Sequence, residues 1–366
     1  MPESSTPTPT PTSTAGSVKI AAGGVFKDSV DILAPVLAHL ISQGIKDFYL
    51  VLHNEHREVS RQLIDALGTR ANFTVFHHNS ERFQQGPLTN LLLQMARNEG
   101  FDVFLPFDAD EFFVSSDPGL TLGGAISSWV AGGEGEQLTA PMVNFLVPND
   151  VEIFRGNVLA RIPYRLKLRP DVNSERVNRR LRPLVKTVVR ISGISEARDI
   201  WLTRGNHDSL RGVTSLTRKP FRKDSRPLVF VCHIPWRSHS SALNPPLLHR
   251  ALAAAVPKQA HSEDPEPHAV LLSTWAQYSL TAEMLAGEDL EHELFSLMPD
   301  DTCSRILAEL TVAGFDPDDP YCRSTKTPEA SAVAHTARVF ESDLVFDSAV
   351  VALMAQNRRV NEQRKE

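Results

Sequence analysis

Short apolar runs alternate with stretches of helical periodicity from Val18 to Phe107, and this rhythm constrains the fold more than any other feature. Val18–Phe26 reads as a buried strand. Val30, Leu33, Val36, Leu37, Leu40 and Ile41 then recur at helical spacing, with Ser29 placed as N-cap and Gly44 as the stop. Phe48–Leu52 is a second strand, and a helical stretch runs through Leu63, Ile64 and Leu67 to Gly68. Phe73–Phe76 is a third strand, Leu88–Ala96 carries the apolar face of another helix, and Phe101–Phe107 is a fourth strand. Strands alternating with helices of about 10–15 residues predict βαβ units, because parallel neighbours need a crossover and the crossover helix covers the sheet. The expected fold class is α/β, a mostly parallel sheet flanked by helices.

The pattern loosens after Phe113. Leu138–Val147, Leu184–Ile191 and Leu228–Ile234 read as further strands, separated by a basic stretch, Arg161–Arg190, that reads as a partly solvated excursion able to meet an anion. His261–His268 is a linker by composition, and helical patterns are expected at Ser273–Leu285, Leu290–Leu297, Cys303–Ala313 and Ser342–Arg358. At the other end, alternating Thr-Pro in residues 1–17 favours extended chain with nothing to bury, which reads as a disordered tail. The expected organisation is a tail at 1–17, an α/β domain at 18–256, and a linker with a helical C-terminal region at 257–366.

Composition narrows the function classes. The 366 residues carry a formal net charge of −6, which offers no electrostatic footprint for nucleic acid. No membrane span is expected, since the best apolar run, Val30–Ile41, contains Asp31 and Pro35 and falls short of the ~20 residues a span needs. Cys232, Cys303 and Cys322 are odd in number and contain no CxxC, so neither a disulfide framework nor a cysteine zinc site is expected. No secretory leader pattern opens the chain, and a cytoplasmic location is the default expectation.

The sharpest chemical feature is Phe107-Asp108-Ala109-Asp110-Glu111-Phe112-Phe113, directly after a strand. Ligands of α/β sheets collect at the carboxyl ends of strands. In extended chain, Asp108 and Asp110 share one face and can grip a hard divalent ion such as Mg²⁺ or Mn²⁺, which in turn bridges a diphosphate. An acidic turn capping the next segment is the bland alternative. A second feature, Arg204-Gly-Asn-His-Asp-Ser209, offers His207 as an imidazole for the same metal. It also invites comparison with binuclear metallophosphoesterases, but the early Asp-x-His, the Gly-Asp-x-x-Asp and the late Gly-His-x-His of those enzymes are missing. A third, Val231–Ser238, places Arg237 where a strand gives way to a helix start, a ready site for a phosphate oxygen. His77 and His78 end the third strand without zinc-like spacing.

Taken in order, residues 18–245 resemble the family-2-like glycosyltransferases of the GT-A fold, the branch whose signature ends in DxDEF. The opening Phe26–Leu33 with His39 and Gly44, the second strand Phe48–Asn54, and Arg82-Phe-Gln-Gln85 with Asn90 are similar to segments that precede the signature. Asp108-Ala-Asp110-Glu111-Phe112 is similar to the DxD itself, and Lys186, Gly205-Asn-His207 and His233–Ser238 follow in family order.

The resemblance implies a GT-A-type nucleotide-binding sheet and a nucleotide-sugar donor of UDP or GDP type. It also implies a metal on Asp108 and Asp110 with His207 as a further ligand. Donor contacts would come from Phe26, Lys27, Asp28, His53, Asn54, Gln85, Asn90, Lys186, Arg237 and Ser238. Transfer would go to the hydroxyl of a small-molecule or glycan acceptor with inversion, a carboxylate taking the proton; Glu111 and Asp208 are both candidates for that base. Two departures stand out: Ser29 replaces the family's opening glutamate, and His53 replaces the acid after its second strand. They leave open an altered donor choice or a non-catalytic binding module.

Overall fold

A computed structural model of the protein describes residues 17–27, 30–80, 84–146, 159, 164–168, 185–192, 200–203, 206, 209–211, 214–216, 227–234, 295–319, 321–325 and 335–340. The alternation read from the sequence is present: β1 (Ile20–Phe26), α1 (Val30–Ser42), β2 (Asp47–His53), α2 (Arg57–Leu67), β3 (Asn72–His78), α3 (Gln85–Asn98) and β4 (Val103–Pro106). These strands pair in parallel in the order β3-β2-β1-β4. Gly44 takes a φ of +90° just beyond α1, the left-handed conformation that glycine supplies at a helix end.

Both faces of this parallel core are covered, as near-continuous apolar strands require. Ile20, Ala22 and Phe26 of β1 with Phe48, Leu50 and Leu52 of β2 point into one apolar cluster with α1 and α2. Ala21 and Val25, with Tyr49 and Val51, point into a second cluster with Leu88, Leu92, Leu93 and Ala96 of α3. The chain steps from β1 to β2 to β3 in one direction and then returns past both to β4. A right-handed crossover in the opposite direction must pass on the opposite face, which is why α3 lies across the sheet from α1 and α2.

Beyond β4 the sheet continues with antiparallel neighbours. β5 (Glu111–Ser115) is followed by α4 (Leu122–Gly132), β6 (Gln137–Leu146), β7 (Tyr164–Leu168) and β8 (Val185–Arg190). β8 joins β4 to β6, and β6 joins β7, all antiparallel. β9 (Ile200–Leu202), β10 (Ser209–Arg211) and β11 (Thr214–Ser215) form a separate antiparallel sheet, while β12 (Val229–His233) pairs antiparallel with β5 and parallel with β6.

The C-terminal region differs from the helical expectation. Its described residues hold β13 (Phe295–Pro299), α5 (Thr302–Ala313) and β14 (Ala337–Phe340). Cys303–Ala313 is helical as read, but residues 295–297 of the expected Leu290–Leu297 helix belong to a strand, where sheet pairing with β7 overrides a short apolar run of ambiguous period. β14 extends the parallel core beside β3. The expected helices at Ser273–Leu285 and Ser342–Arg358 lie outside the described residues. α5 sets Cys303, Ile306 and Leu310 into the α1-side cluster, with the Cys303 sulfur 3.7 Å from that of Cys232. Among the described residues no helix is long and apolar enough to cross a membrane.

Candidate functional site

The strand order fixes where a ligand belongs. Because β2 and β4 leave β1 in opposite directions, the crevice at the carboxyl ends of β1 and β4 is a topological switch point, the ligand position of open α/β sheets. The acidic segment sits there. Phe107 leaves β4 with its amide donated to the Gly23 carbonyl at 3.1 Å, and the Phe26 and Phe107 rings pack with centroids 5.2 Å apart. Gly24 makes this approach feasible, since a Cβ on it would lie 2.4 Å from the Phe107 carbonyl oxygen.

After Phe107 the chain turns instead of staying extended. The Glu111 amide donates to the Asp108 carbonyl at 3.2 Å, and the Glu111 carboxylate folds back to accept from the Asp108 amide at 3.2 Å. Asp108 and Asp110 therefore meet different partners. Asp108 accepts from Gln85 Nε2 at 2.6 Å and from Lys186 Nζ at 2.7 Å. The same ammonium lies 2.7 Å from Glu111 Oε1. Asp110 faces His233, with 3.5 Å between carboxylate oxygen and Nε2. β12 delivers that imidazole: Glu111 and His233 are register partners, and the Ile234 amide donates to the Asp110 carbonyl at 2.9 Å. Oxygen and nitrogen atoms of Asp110, Glu111 and His233 gather within 4.8 Å of one another.

Burial shapes the charges. It pushes Glu111 well above the ordinary carboxylate range; Lys186 opposes this, and the neighbouring Asp108 and Asp110 add to it. Burial also works against the Lys186 ammonium, yet Asp108 and Glu111 outweigh it and raise the lysine pKa. At Asp110 burial is overcome by His233 and Lys186, and the carboxyl stays below its usual value. The side chains of Asp108 and Asp110 remain 26% and 29% exposed, whereas those of Lys186 and Glu111 are 2% exposed. Glu111 thus anchors the turn, with both oxygens engaged.

Of the other residues singled out in the sequence, Gln85 joins the acidic turn and Lys27 is exposed at the end of β1. His53 is buried at the end of β2, its ring 5.6 Å from that of His78 on β3. Asn54, at φ +55°, exchanges two hydrogen bonds with Ser80. Asn90 is buried and bonds the Leu202 amide and carbonyl and the Gly86 carbonyl, clamping β9 to α3. Asp28, His207, Asp208, Arg237 and Ser238 lie outside the described residues. His233 opens the His233–Ser238 segment quoted from the sequence but has no role assigned there; its signal is a histidine closing a strand just before Ile-Pro.

The architecture is that of an α/β protein with an acidic, lysine-bridged turn at its switch point. No family model matches the sequence, and no curated protein does. Among solved structures, UDP-glucose pyrophosphorylase complexed with UDP-glucose aligns at 11% identity over 81% of this chain and 98% of that one, with a TM-score of 0.26. Its apo form aligns at 11% identity over 81% and 97%, with a TM-score of 0.25. A Bacillus anthracis protein described as a glucose-1-phosphate thymidylyltransferase, in complex with sucrose, aligns at 15% identity and a TM-score of 0.24. That alignment covers 37% of this chain and spans 61% of the length of the other.

Proposed function

We propose that the protein is a metal-dependent glycosyltransferase that binds a nucleotide-sugar donor at the switch point and moves the sugar to an acceptor hydroxyl with inversion. The observation that carries this reading is the position of the Asp108–Glu111 turn, at the carboxyl end of β4 and facing the end of β1. The ordered series of segments that resemble family-2-like glycosyltransferases supports it.

The donor set suits a hard or borderline divalent ion such as Mn²⁺ or Mg²⁺, with carboxylate oxygens beside one imidazole nitrogen. Asp110 and His233 would hold it, with Glu111 the third group within reach, while Asp108 is engaged by Lys186 and Gln85. Such an ion supplies charge neutralisation for a leaving diphosphate. Exposed Lys27 lies at the edge of the same crevice, where an ammonium can meet a phosphate oxygen. The buried, doubly engaged Glu111 leaves Asp208 as the base of the two candidates read from the sequence.

The test is a thermal-shift series with UDP-, GDP-, dTDP- and CMP-sugars and Mn²⁺, followed by assay of nucleoside diphosphate release. A ligand at 100 times its Kd stabilises the folded state by about 2.7 kcal/mol, which a melting curve detects. One nucleotide class is expected to stabilise the wild type and to lose its effect in Asp110→Asn. Stabilisation without nucleotide release in the presence of acceptors would mark a binding module, and no stabilisation by any of the four would sink the reading.

A further inference from the structure

Lys186 comes from β8, a strand otherwise filled with Thr187, Val188 and Val189 and buried between β4 and β6. An ammonium in that position carries a large desolvation cost unless matched by close negative charge. It is matched twice, by Asp108 Oδ2 and Glu111 Oε1, each at 2.7 Å. The two carboxylates belong to one tight turn, so a single lysine head closes that turn from below. Gln85 occupies the other Asp108 oxygen at 2.6 Å. The third carboxylate of the turn is placed differently: Asp110 has no ammonium at hydrogen-bonding distance among the described residues, and its neighbour is the His233 imidazole at 3.5 Å.

We propose that Lys186 is the resident counter-ion of the acidic turn, a positioning residue that holds Asp108 and Glu111 so that Asp110 and His233 present the groups an incoming cation meets. The negative charge of the turn is partly offset before any metal arrives. The ammonium is held by the carboxylates on either side of Asp110 in the turn, so its positive charge opposes a divalent ion there and tunes cation affinity downward while it fixes the geometry. The part that concerns the cation rests on the metal-dependent reading above; the counter-ion role stands without it.

Two measurements separate these parts. In metal-free buffer with chelator, melting temperatures of Lys186→Met, Asp108→Asn and the double variant form a cycle. Lys186→Met is expected to melt at least 5 °C below the wild type, and adding Asp108→Asn is expected to recover at least half of that loss. A single variant that is insoluble while the double variant folds counts as the same recovery. Losses that simply add, or a double variant no more soluble than the single, overturn the counter-ion role.

Mn²⁺ titration followed by electron paramagnetic resonance supplies the readout that a purely structural lysine would leave unmoved. Asp110→Asn is expected to weaken Mn²⁺ at least tenfold and Asp108→Asn less than threefold, while Lys186→Met tightens it at least threefold. Equal weakening by Asp108→Asn and Asp110→Asn, or unchanged affinity in Lys186→Met, overturns the division of roles. If the wild type binds no Mn²⁺, the metal-dependent reading falls, and the metal-free cycle alone decides the counter-ion role.

Discussion

At Gly24 the sheet leaves no room for a side chain. A methyl group there would press on the Phe107 carbonyl, a backbone atom that cannot swing aside as a flexible side chain would. Gly24→Ala is therefore expected to cost about 1–3 kcal/mol, the usual range for overpacking a tight core. Denaturant midpoints measure the cost, and an unshifted midpoint would show that the turn tolerates the push. His39 contributes to the pH response. It is buried on α1, and its Nε2 donates to the Phe113 carbonyl at 2.8 Å, tying the helix to the strand that follows the acidic turn. Burial is the main reason its pKa falls from 6.5 to about 4; the Phe113 bond opposes the shift, and Arg305 adds to it. Below pH 6.5 the unfolded chain takes up a proton that the folded state resists. Stability from this group is thus complete above pH 6.5 and is lost as pH falls toward 4, by about 3 kcal/mol in all. His39→Gln keeps a donor for Phe113 and should flatten the stability profile between pH 6.5 and 4; an unchanged slope would assign the pH dependence to other groups. The acidic turn itself was legible because three carboxylates between apolar neighbours interrupt a strand pattern. Lys186 was singled out only as a donor contact; its bond to Asp108 was not legible, because it joins residues 78 apart in sequence and no local pattern marks it.

Among the elements, the parallel core was readable because each strand and crossover helix carries a full period of apolar residues. The antiparallel half was readable only in part: β6, β8 and β12 fall on stretches read as strands, but the shorter elements do not. β9, β10 and β11 contain 3, 3 and 2 residues, too few for an alternation to emerge, and α4 is interrupted by Gly123, Gly124 and Gly132. These short strands depend on side chains from elsewhere. Asn90 bonds Leu202 at both its amide and its carbonyl, imitating a neighbouring strand, and Gln137 bonds Ser209 and the Leu216 carbonyl. Together they hold the small sheet whose β9–β10 connection contains His207 and Asp208. Replacing Asn90 with alanine leaves buried backbone groups unmatched, a loss of about 1–3 kcal/mol. Hydrogen exchange at Leu202 should accelerate at least tenfold in Asn90→Ala while β1 and β2 keep their protection. Uniform loss of protection across the protein would instead make Asn90 part of the global core.

For the whole molecule, the C-terminal region is the unexpected part of the design. The large sheet runs β13-β7-β6-β8-β4-β1-β2-β3-β14, so both of its outermost strands come from residues after 294. The sequence could not reveal this, because strand order is a long-range property and β13 and β14 have only 5 and 4 residues. Between those strands, α5 adds Cys303, Ile306 and Leu310, and the following segment adds Phe315, to the α1-side core. One stretch of chain therefore covers two sheet edges and part of the main core at once. Removing it should do more than subtract its own contacts, since uncovered strand edges are templates for pairing with other chains. Truncation after residue 294 is expected to yield protein that elutes as aggregate and melts without a cooperative transition, whereas deletion of residues 1–16 should leave the melting temperature within about 1 °C, as expected for a terminal segment with nothing to bury. Size-exclusion chromatography with light scattering distinguishes the cases. A monomeric truncated protein with a wild-type melting temperature would mean that β7 and β3 manage their edges alone, and that the sheet is complete before the C-terminal region is added.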